Sequence, residues 1–379
     1  MMSNMGKHVT RDLRVVTTIE ELQQLSDEWN SLLDNSASSD NIFLRWEWMF
    51  TWTKHYLGSG RLQVLLVYRE GNHLIGIAPF YVRTLPIALG LDAREMRFLG
   101  TEEVSSCHLD IIATETEKPS VILRVYDYLH QEGHRLWDIL TLSEVPSESC
   151  SVDTWYRLVG DAGQVIEITA ASTCPVIDLP VTSTELSARI SRNERYDLQR
   201  KQKSLQAAGA ATYLRVASPP EVKKELDAFI QLHEMRWKAK GGNGVFHQPR
   251  YTGFHREICR IFSQRGWVTL DFLLLNGEQI AGIYGYVYGG KYSFYLPGFN
   301  PDILPKASPG KLLLFHRIRE AIDEGCKQVD LLRGTAPYKM AWATGLRQSL
   351  MLRHYNRTPR AALLKLVDSG KQIAKVALR

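Results

Sequence analysis

The residues of this chain that could do chemistry gather in two places in its second half. The first is LHEMRWKAK (232–240), a helix-capable run broken by Gly241-Gly242-Asn243-Gly244. His233 and Trp237 are four residues apart and share a helix face, so Trp237 could wall a substrate groove beside His233 and Arg236. Glu234 is a candidate general base. The alternative is a buried tryptophan with solvated charges around it. The second place is the stretch from 328 to 340. Asp330 lies in QVDLL, where it could orient or deprotonate an acceptor, or else pair with Arg333 or cap the strand end. Tyr338 could protonate a leaving group or bind a donor, and Lys339 could pair with phosphates. Ordinary packing and a surface charge are the alternative for that pair. Cys107 and His108 are discounted as a nucleophilic pair, because adjacent residues on a strand face opposite ways.

The elements that must position these residues are read from 267 onward. WVTLDFLLL, the turn Asn276-Gly277, QIAGIYGYVY, the turn Gly289-Gly290 and KYSFYLPGF predict three strands joined by tight turns. A loop with three prolines (300–310) opens onto KLLLFHRIREAIDEG. Leu314, Phe315, Ile318 and Ile322 recur there at helical spacing, with Gly325 as C-cap. A strand that ends in a Gly-bearing loop at a helix N-terminus is an anion site, suited to the pyrophosphate of a nucleotide-like donor. A weaker copy lies earlier. RLQVLLVYREGNHLIGIAPFYV (61–82) matches 267–288, with Gly71 against Gly277 and Gly76 against Gly282. LHQEGHRLWDIL (129–140) matches 321–332, with Asp138 against Asp330. Two matches in the same order predict two copies of one unit, against chance likeness of apolar hairpins.

With 379 residues, 44% hydrophobic and 23% charged, the chain has room for about two domains. The start, MMSNMGKHVTRDLR, lacks an apolar signal core, and no uncharged run approaches a membrane span. Five scattered cysteines without metal spacing fit reduced thiols in the cytoplasm, and no metal site is expected. A net charge of +5 suits an anionic donor or surface and does not by itself indicate nucleic acid. The expected domains are 1–180, 181–358 and a basic amphipathic tail at 359–379. Thr18 reads as an N-cap, 43–56 as an aromatic-rich helix, and 187–209 as a basic helix. Within the tail, Leu363, Leu366, Val367, Ile373 and Val376 lie beside Lys365, Lys371, Lys375 and Arg379. It reads either as a helix packed on its own domain or as a contact with the inner face of an anionic membrane. The mixed order of strands and helices gives α+β.

The segments LHEMRWKAKGGNGVF, NGEQIAGIYGYVYGGKYSFYLPGFNP, SPGKLLLFHRIREAIDEGCKQVDLLRG and YKMAW resemble the acetyltransferase family linked to bacterial cellulose and exopolysaccharide biosynthesis (the CelD/BcsL group). That family lies within the GNAT superfamily and is similar to the Fem-type aminoacyltransferases. The likeness spans roughly residues 14–356. It implies two tandem GNAT-like units with mixed central sheets, the second binding acetyl-CoA or another acyl-CoA. Ser308, Gly310, Lys311, Leu312 and Lys339 are the implied donor-binding residues. Glu234, Asp330 and Tyr338 are the catalytic candidates, and a small-molecule or glycan-precursor acceptor lies in the groove between units. The usual phosphate loop of that superfamily, R/Q-x-x-G-x-G/A, is here Ala307-Ser308-Pro309-Gly310-Lys311-Leu312, with one glycine and a proline that removes an N–H. The alternatives are a Fem-like enzyme using aminoacyl-tRNA and a non-catalytic partner of a polysaccharide synthase. No specific nucleic-acid binding is expected.

Overall fold

A computed structural model gives the structure of residues 12–70, 72–88 and 90–377, with side chains other than those at 88, 102, 187 and 369–377. The polar start up to residue 11 and Gly71 lie outside these residues. The chain divides into two compact units. The first holds the residues up to Ser172 together with those from Gln348 on, and the second holds Thr173–Arg347.

The first unit opens with β1 (Leu13–Val16), α1 (Ile19–Gln23), α2 (Ser26–Asp34) and α3 (Trp46–Tyr56). Thr18 caps α1 as expected, its hydroxyl accepting the Glu21 N–H at 3.2 Å. The aromatic run forms α3 because Trp48 and Trp52 point inward and find partners: Trp48 Nε1 donates to Ser106 Oγ at 2.8 Å. Next come β2 (Arg61–Arg69), β3 (His73–Ala88), β4 (Leu91–Phe98), β5 (Ile112–Ala113), α4 (Lys118–His130), β6 (Ile139–Pro146), α5 (Cys150–Asp161) and β7 (Ile166–Asp178). β7 is one long strand that begins in the first unit and ends in the second.

The second unit continues with α6 (Ser183–Arg189), α7 (Arg192–Ala208), β8 (Ala211–Val216), α8 (Pro219–Lys238) and α9 (Pro249–Gln264). Then follow β9 (Val268–Leu275), β10 (Glu278–Tyr288), β11 (Lys291–Phe299), α10 (Pro309–Asp323), β12 (Gln328–Asp330) and α11 (Pro337–Met340). β13 (Gly345–Tyr355) and α12 (Pro359–Ala377) close the chain.

The duplication read from the sequence is a duplication of topology. In the first unit the sheet runs β1-β2-β3-β4-β6-β13, antiparallel except for the parallel pair β4–β6. In the second it runs β8-β9-β10-β11-β12-β7, antiparallel except for the parallel pair β11–β12. Helices cover both faces of the second sheet. A Cβ on Gly282 would meet Phe229 of α8 at 3.1 Å. Its neighbours Ala281 and Ile283 belong instead to the cluster formed with Leu313, Ile318 and Ala321 of α10, and adjacent strand residues face opposite ways.

The structural division differs from the expected cuts at 180 and 358. Each unit's last strand is supplied by the other half of the chain: β7 pairs with β12, and β13 pairs with β6. The tail is not a separate element at its start. Ala361 and Leu364 are buried in a cluster with Ala93, Ile139 and Tyr355, and Arg353 Nη2 meets Asp368 Oδ2 at 2.6 Å. Leu366 is exposed, while the side chains of Lys371, Ile373, Lys375, Val376 and Arg379 lie outside the described residues.

β13 also brings His354 against α4, with its Nε2 3.2 Å from His130 Nε2. Burial, and then the neighbouring His130, push His354 down to about 4. Because the folded value lies below the unfolded one, near 6.5, this histidine's contribution is complete above 6.5 and is lost as pH falls toward 4. The urea midpoint should therefore fall between pH 7 and pH 4.5, and His354→Gln should flatten that dependence; equal slopes would contradict the assignment. Leu364 is 3% exposed, so Leu364→Ala should cost about 2–4 kcal/mol in equilibrium unfolding. A cost near zero would mean that α12 does not dock.

Candidate functional site

The site begins where two parallel strands part. β11 and β12 pair over three residues only: Lys291 with Gln328, Tyr292 with Val329 and Ser293 with Asp330. Asp330 then ends its strand. Its carboxylate is 3% exposed, and Oδ1 accepts the N–H of Leu332 at 2.8 Å. Leu332 has φ of 55°, which turns the chain aside. β11 continues to Phe299, so its edge from Phe294 onward is not covered by β12. A divergence of parallel strands exposes backbone groups that a ligand can use.

Side chains from three elements line this opening. Tyr338 of α11 stands edge-on to Phe294, with ring centroids 6.3 Å apart. Burial raises the Tyr338 pKa, opposed by nearby Arg236, so its phenol stays protonated at neutral pH. Arg236 of α8 lies over the rings of Trp237 and Phe299, at 5.4 and 5.7 Å. Phe299 leads to the N-terminus of α10: a Cβ on Gly310 would sit 3.4 Å from its ring. His233 is 1% exposed. Its Nδ1 lies 2.9 Å from the carbonyl of Pro297, and a carbonyl only accepts, so Nδ1 carries the proton. That leaves Nε2 with a lone pair, buried and without a partner. Burial lowers the His233 pKa, and Arg236 adds to the effect, which keeps the ring neutral.

The glycine-rich break after α8 folds back onto this helix. Gly244 donates its N–H to Glu234 Oε2 at 3.1 Å. A Cβ there would meet Glu234 Oε1 at 2.4 Å and His233 Cδ2 at 2.7 Å, so only glycine allows the loop to lie this close. Glu234 thus anchors the loop through one oxygen, while Oε1 has no partner.

The loop before α10 offers a thin anion cradle. The N–H groups of Ser308, Lys311 and Leu312 turn back onto Pro305 O and Ser308 O at 3.2, 2.9 and 3.3 Å. Pro309 has no N–H, which leaves that of Gly310 as the donor. Ser308 does not cap the helix with its side chain; it sits at φ 49° and ψ 65°, and Leu304 is left-handed too, at φ 48°. Two non-glycine residues held left-handed in one short loop store strain where a ligand would bind.

The structure brings Arg236 and Gly310 to Phe299, with Trp237 beside Arg236, His233 near Trp237 and Tyr338 against Phe294, and it gives the other expected residues different tasks. Leu312 is core. Lys311 Nζ is held by Glu194 and Asp197 at 2.6 and 2.8 Å, two carboxylates on one ammonium, so it is not offered to phosphate. Lys339 turns inward and donates to the carbonyls of Leu332 and Arg333 at 3.4 and 2.8 Å, bracing the turn that Asp330 begins. Asp330 is the structural carboxylate that ends β12. Phe294 and Phe299 escape the sequence reading because strand aromatics read as core. A buried network escapes it as well: His255 reaches Tyr284 Oη at 3.1 Å and Tyr295 Oη at 3.2 Å. Its one signal is Tyr251 and His255 a helical turn apart.

Comparison with known proteins bears on the fold and the class of reaction. Residues 192–340 match the family model described as an acetyltransferase (GNAT) domain. No curated protein matches the chain. Among solved structures the chain is similar to FemX, with 10% identity, a TM-score of 0.62, and coverage of 86% of this chain and 95% of that one. It is similar to the C-terminal domain of a putative lysylphosphatidylglycerol synthetase from Agrobacterium fabrum, with 12% identity, a TM-score of 0.52, and coverage of 93% and 96%. It is also similar to L-PGS from Bacillus licheniformis, with 11% identity, a TM-score of 0.52, and coverage of 90% and 96%. At these identities the structural likeness speaks to fold: α+β, with two tandem GNAT-like units and mixed sheets. With the family match in the second unit, the protein is an enzyme of the acyltransferase class.

Proposed function

We propose that the second unit transfers an acyl group, acetyl in the first instance, from an acyl-CoA thioester to an amine or hydroxyl of an acceptor held against α8. The observation that carries this reading is the opening between β11 and β12, with Gly310 at one end and Tyr338, Arg236 and His233 around it. The thioester lies along the uncovered edge of β11, where backbone groups polarise its carbonyl. His233 Nε2, neutral and unpartnered, takes the proton from the attacking group, its tautomer fixed by Pro297. The acceptor oxygen or nitrogen forms a bond to the acyl carbon and the carbon–sulfur bond breaks. Tyr338 gives its proton to the leaving thiolate, a task suited to a phenol that burial keeps protonated. Glu234 holds the glycine-rich loop over His233.

A glycan precursor is the acceptor class we favour, in line with the resemblance to polysaccharide-linked acetyltransferases. We place the protein in the cytoplasm, with the exposed Leu366 beside Lys365 as its candidate contact with an anionic bilayer. No helix among the described residues is long and apolar enough to cross a membrane. A second reading, transfer from aminoacyl-tRNA, is favoured by the likeness to FemX. Against it, the basic helix α7 spends cations internally: Asp197 alone holds Lys201, Arg200 and Lys311. A groove for tRNA needs cations free to meet phosphate.

Isothermal titration should show acetyl-CoA binding that Gly310→Asp weakens at least about tenfold, since it adds bulk against Phe299 and a repelling charge. Equal affinities would remove the donor site from this loop. Tyr338→Phe should leave that affinity within about twofold and lower kcat by about 10–100-fold; an unchanged kcat would dismiss Tyr338 as the acid. Saturable binding of tRNA at physiological salt in a gel-shift titration would favour the second reading.

A further inference from the structure

Two cations flank one indole at the end of α8, and neither has a carboxylate partner among the described residues. Arg236 Cζ lies 5.4 Å from the centroid of Trp237, and Lys240 Nζ lies 5.6 Å from it. Two less exposed cations of this unit are matched: Lys311 by Glu194 and Asp197, Arg317 by Asp271 and Glu324. Cations at a helix C-terminus complement its dipole, which accounts for the exposed Lys238 and for part of Lys240. It does not account for Arg236, which is half-buried between two aromatic rings and faces Tyr338. Burial lowers the Arg236 pKa, and the charge of Arg236 lowers that of Lys240. An anion within reach of both would relieve the repulsion that Arg236 exerts on Lys240. A second, independent observation points the same way. The indole N–H of Trp237 and Nε2 of His233, on the same helix face, are buried and without partners. Lying beside the two cations, these two polar atoms are ones that a ligand could complete.

We infer that the acceptor of the acyl group carries an oxyanion, a phosphate or a carboxylate, gripped by Arg236 and Lys240 against the face of Trp237, with its nucleophile reaching His233. This rests on the reading of the second unit as the site of acyl transfer. It makes a neutral amine a poor substrate and selects, within glycan precursors, sugar phosphates or acidic sugars. Arg236 supplies a planar fork suited to bidentate binding, and Lys240 a mobile point charge.

The test uses the full chain and three small probes: glucose 1-phosphate, glucuronate and glucose. By isothermal titration, one or both anions should bind at least about tenfold tighter than glucose, and the tighter of the two identifies the group as phosphate or carboxylate. Arg236→Gln should weaken that anion at least about tenfold, and Lys240→Gln about threefold or more. Lys240→Gln should keep its affinity for desulfo-CoA within about twofold. Lys240 is exposed, so its variant carries the test should Arg236→Gln fail to fold. Anions that bind no better than glucose, or variants that bind them as the parent does, would overturn the inference. So would a loss of desulfo-CoA affinity by the same factor, since the cations would then belong to the donor. Failure of the parent to bind desulfo-CoA would instead sink the acyl-CoA reading, which the anion probes do not touch.

Discussion

The second unit is organised by a single buried hydrogen bond, from the Leu332 N–H to the carboxylate of Asp330. It ends β12 after three paired residues, and the left-handed Leu332 carries the chain away. Lys339 secures the departing turn by donating to the carbonyls of Leu332 and Arg333. The stop lies where β11 and β12 part, beside the edge on which the proposed thioester lies. Asp330 therefore matters to function through geometry. An aspartate is suited to the task because a carboxylate accepting a backbone N–H makes a strong bond out of solvent.

The opening is electrically unusual in a consistent way. Burial holds His233 neutral and Tyr338 protonated, and it presses on the charge of Arg236. All three shifts have desolvation as their largest cause, as expected of a site walled by Phe294, Phe299 and Trp237. In such a medium a neutral base and a protonated acid coexist near pH 7 without an ion pair between them. The cations that would spoil this balance are tied down elsewhere, Lys311 by α7 and Lys339 by the turn.

The two units share their strand order and a parallel pair of three residues, but they differ at the start of the helix between those strands. In the first unit the helix equivalent to α10 is α4, and its first residue, Lys118, is buried with Nζ 2.8 Å from Asp110 Oδ2. Ser149 and Ser151 each donate to the same carboxylate at 2.6 Å. The position where an anion would dock is thus filled by the protein's own charges. Asp138, the counterpart of Asp330, is clamped by Arg94 Nε and Nη2 at 2.8 and 2.7 Å and by Thr358. The two aspartates matched in sequence thus do different work: Asp330 stops its strand, and Asp138, just before β6, holds an ion pair.

Local signals in the chain determined a good part of this. The tight turns at Asn276-Gly277 and Gly289-Gly290, the helical spacing of Leu314, Ile318 and Ile322, and the Thr18 cap are properties of a few neighbouring residues, and each formed as read. The repeat was legible as a repeated order of hairpin, helix and strand, although the matched glycines do not keep one face: a Cβ on Gly76 would meet Val121 of α4, and one on Gly282 would meet Phe229 of α8. His233, Arg236, Trp237, Tyr338 and Gly310 could be named from residue type and element. What each of the others does could not, because that depends on partners far along the chain. Lys311 reads as a phosphate ligand until α7, more than a hundred residues earlier, presents Glu194 and Asp197 to it. Lys339 reads as exposed until the turn at 332–333 offers it carbonyls. The tail reads equally as a packed helix or a membrane contact until β13 pairs with β6 and draws Ala361 and Leu364 into the first unit's core. Strand exchange of that kind leaves no local trace, since hydrophobic alternation specifies that a strand is half-buried but not which sheet buries it.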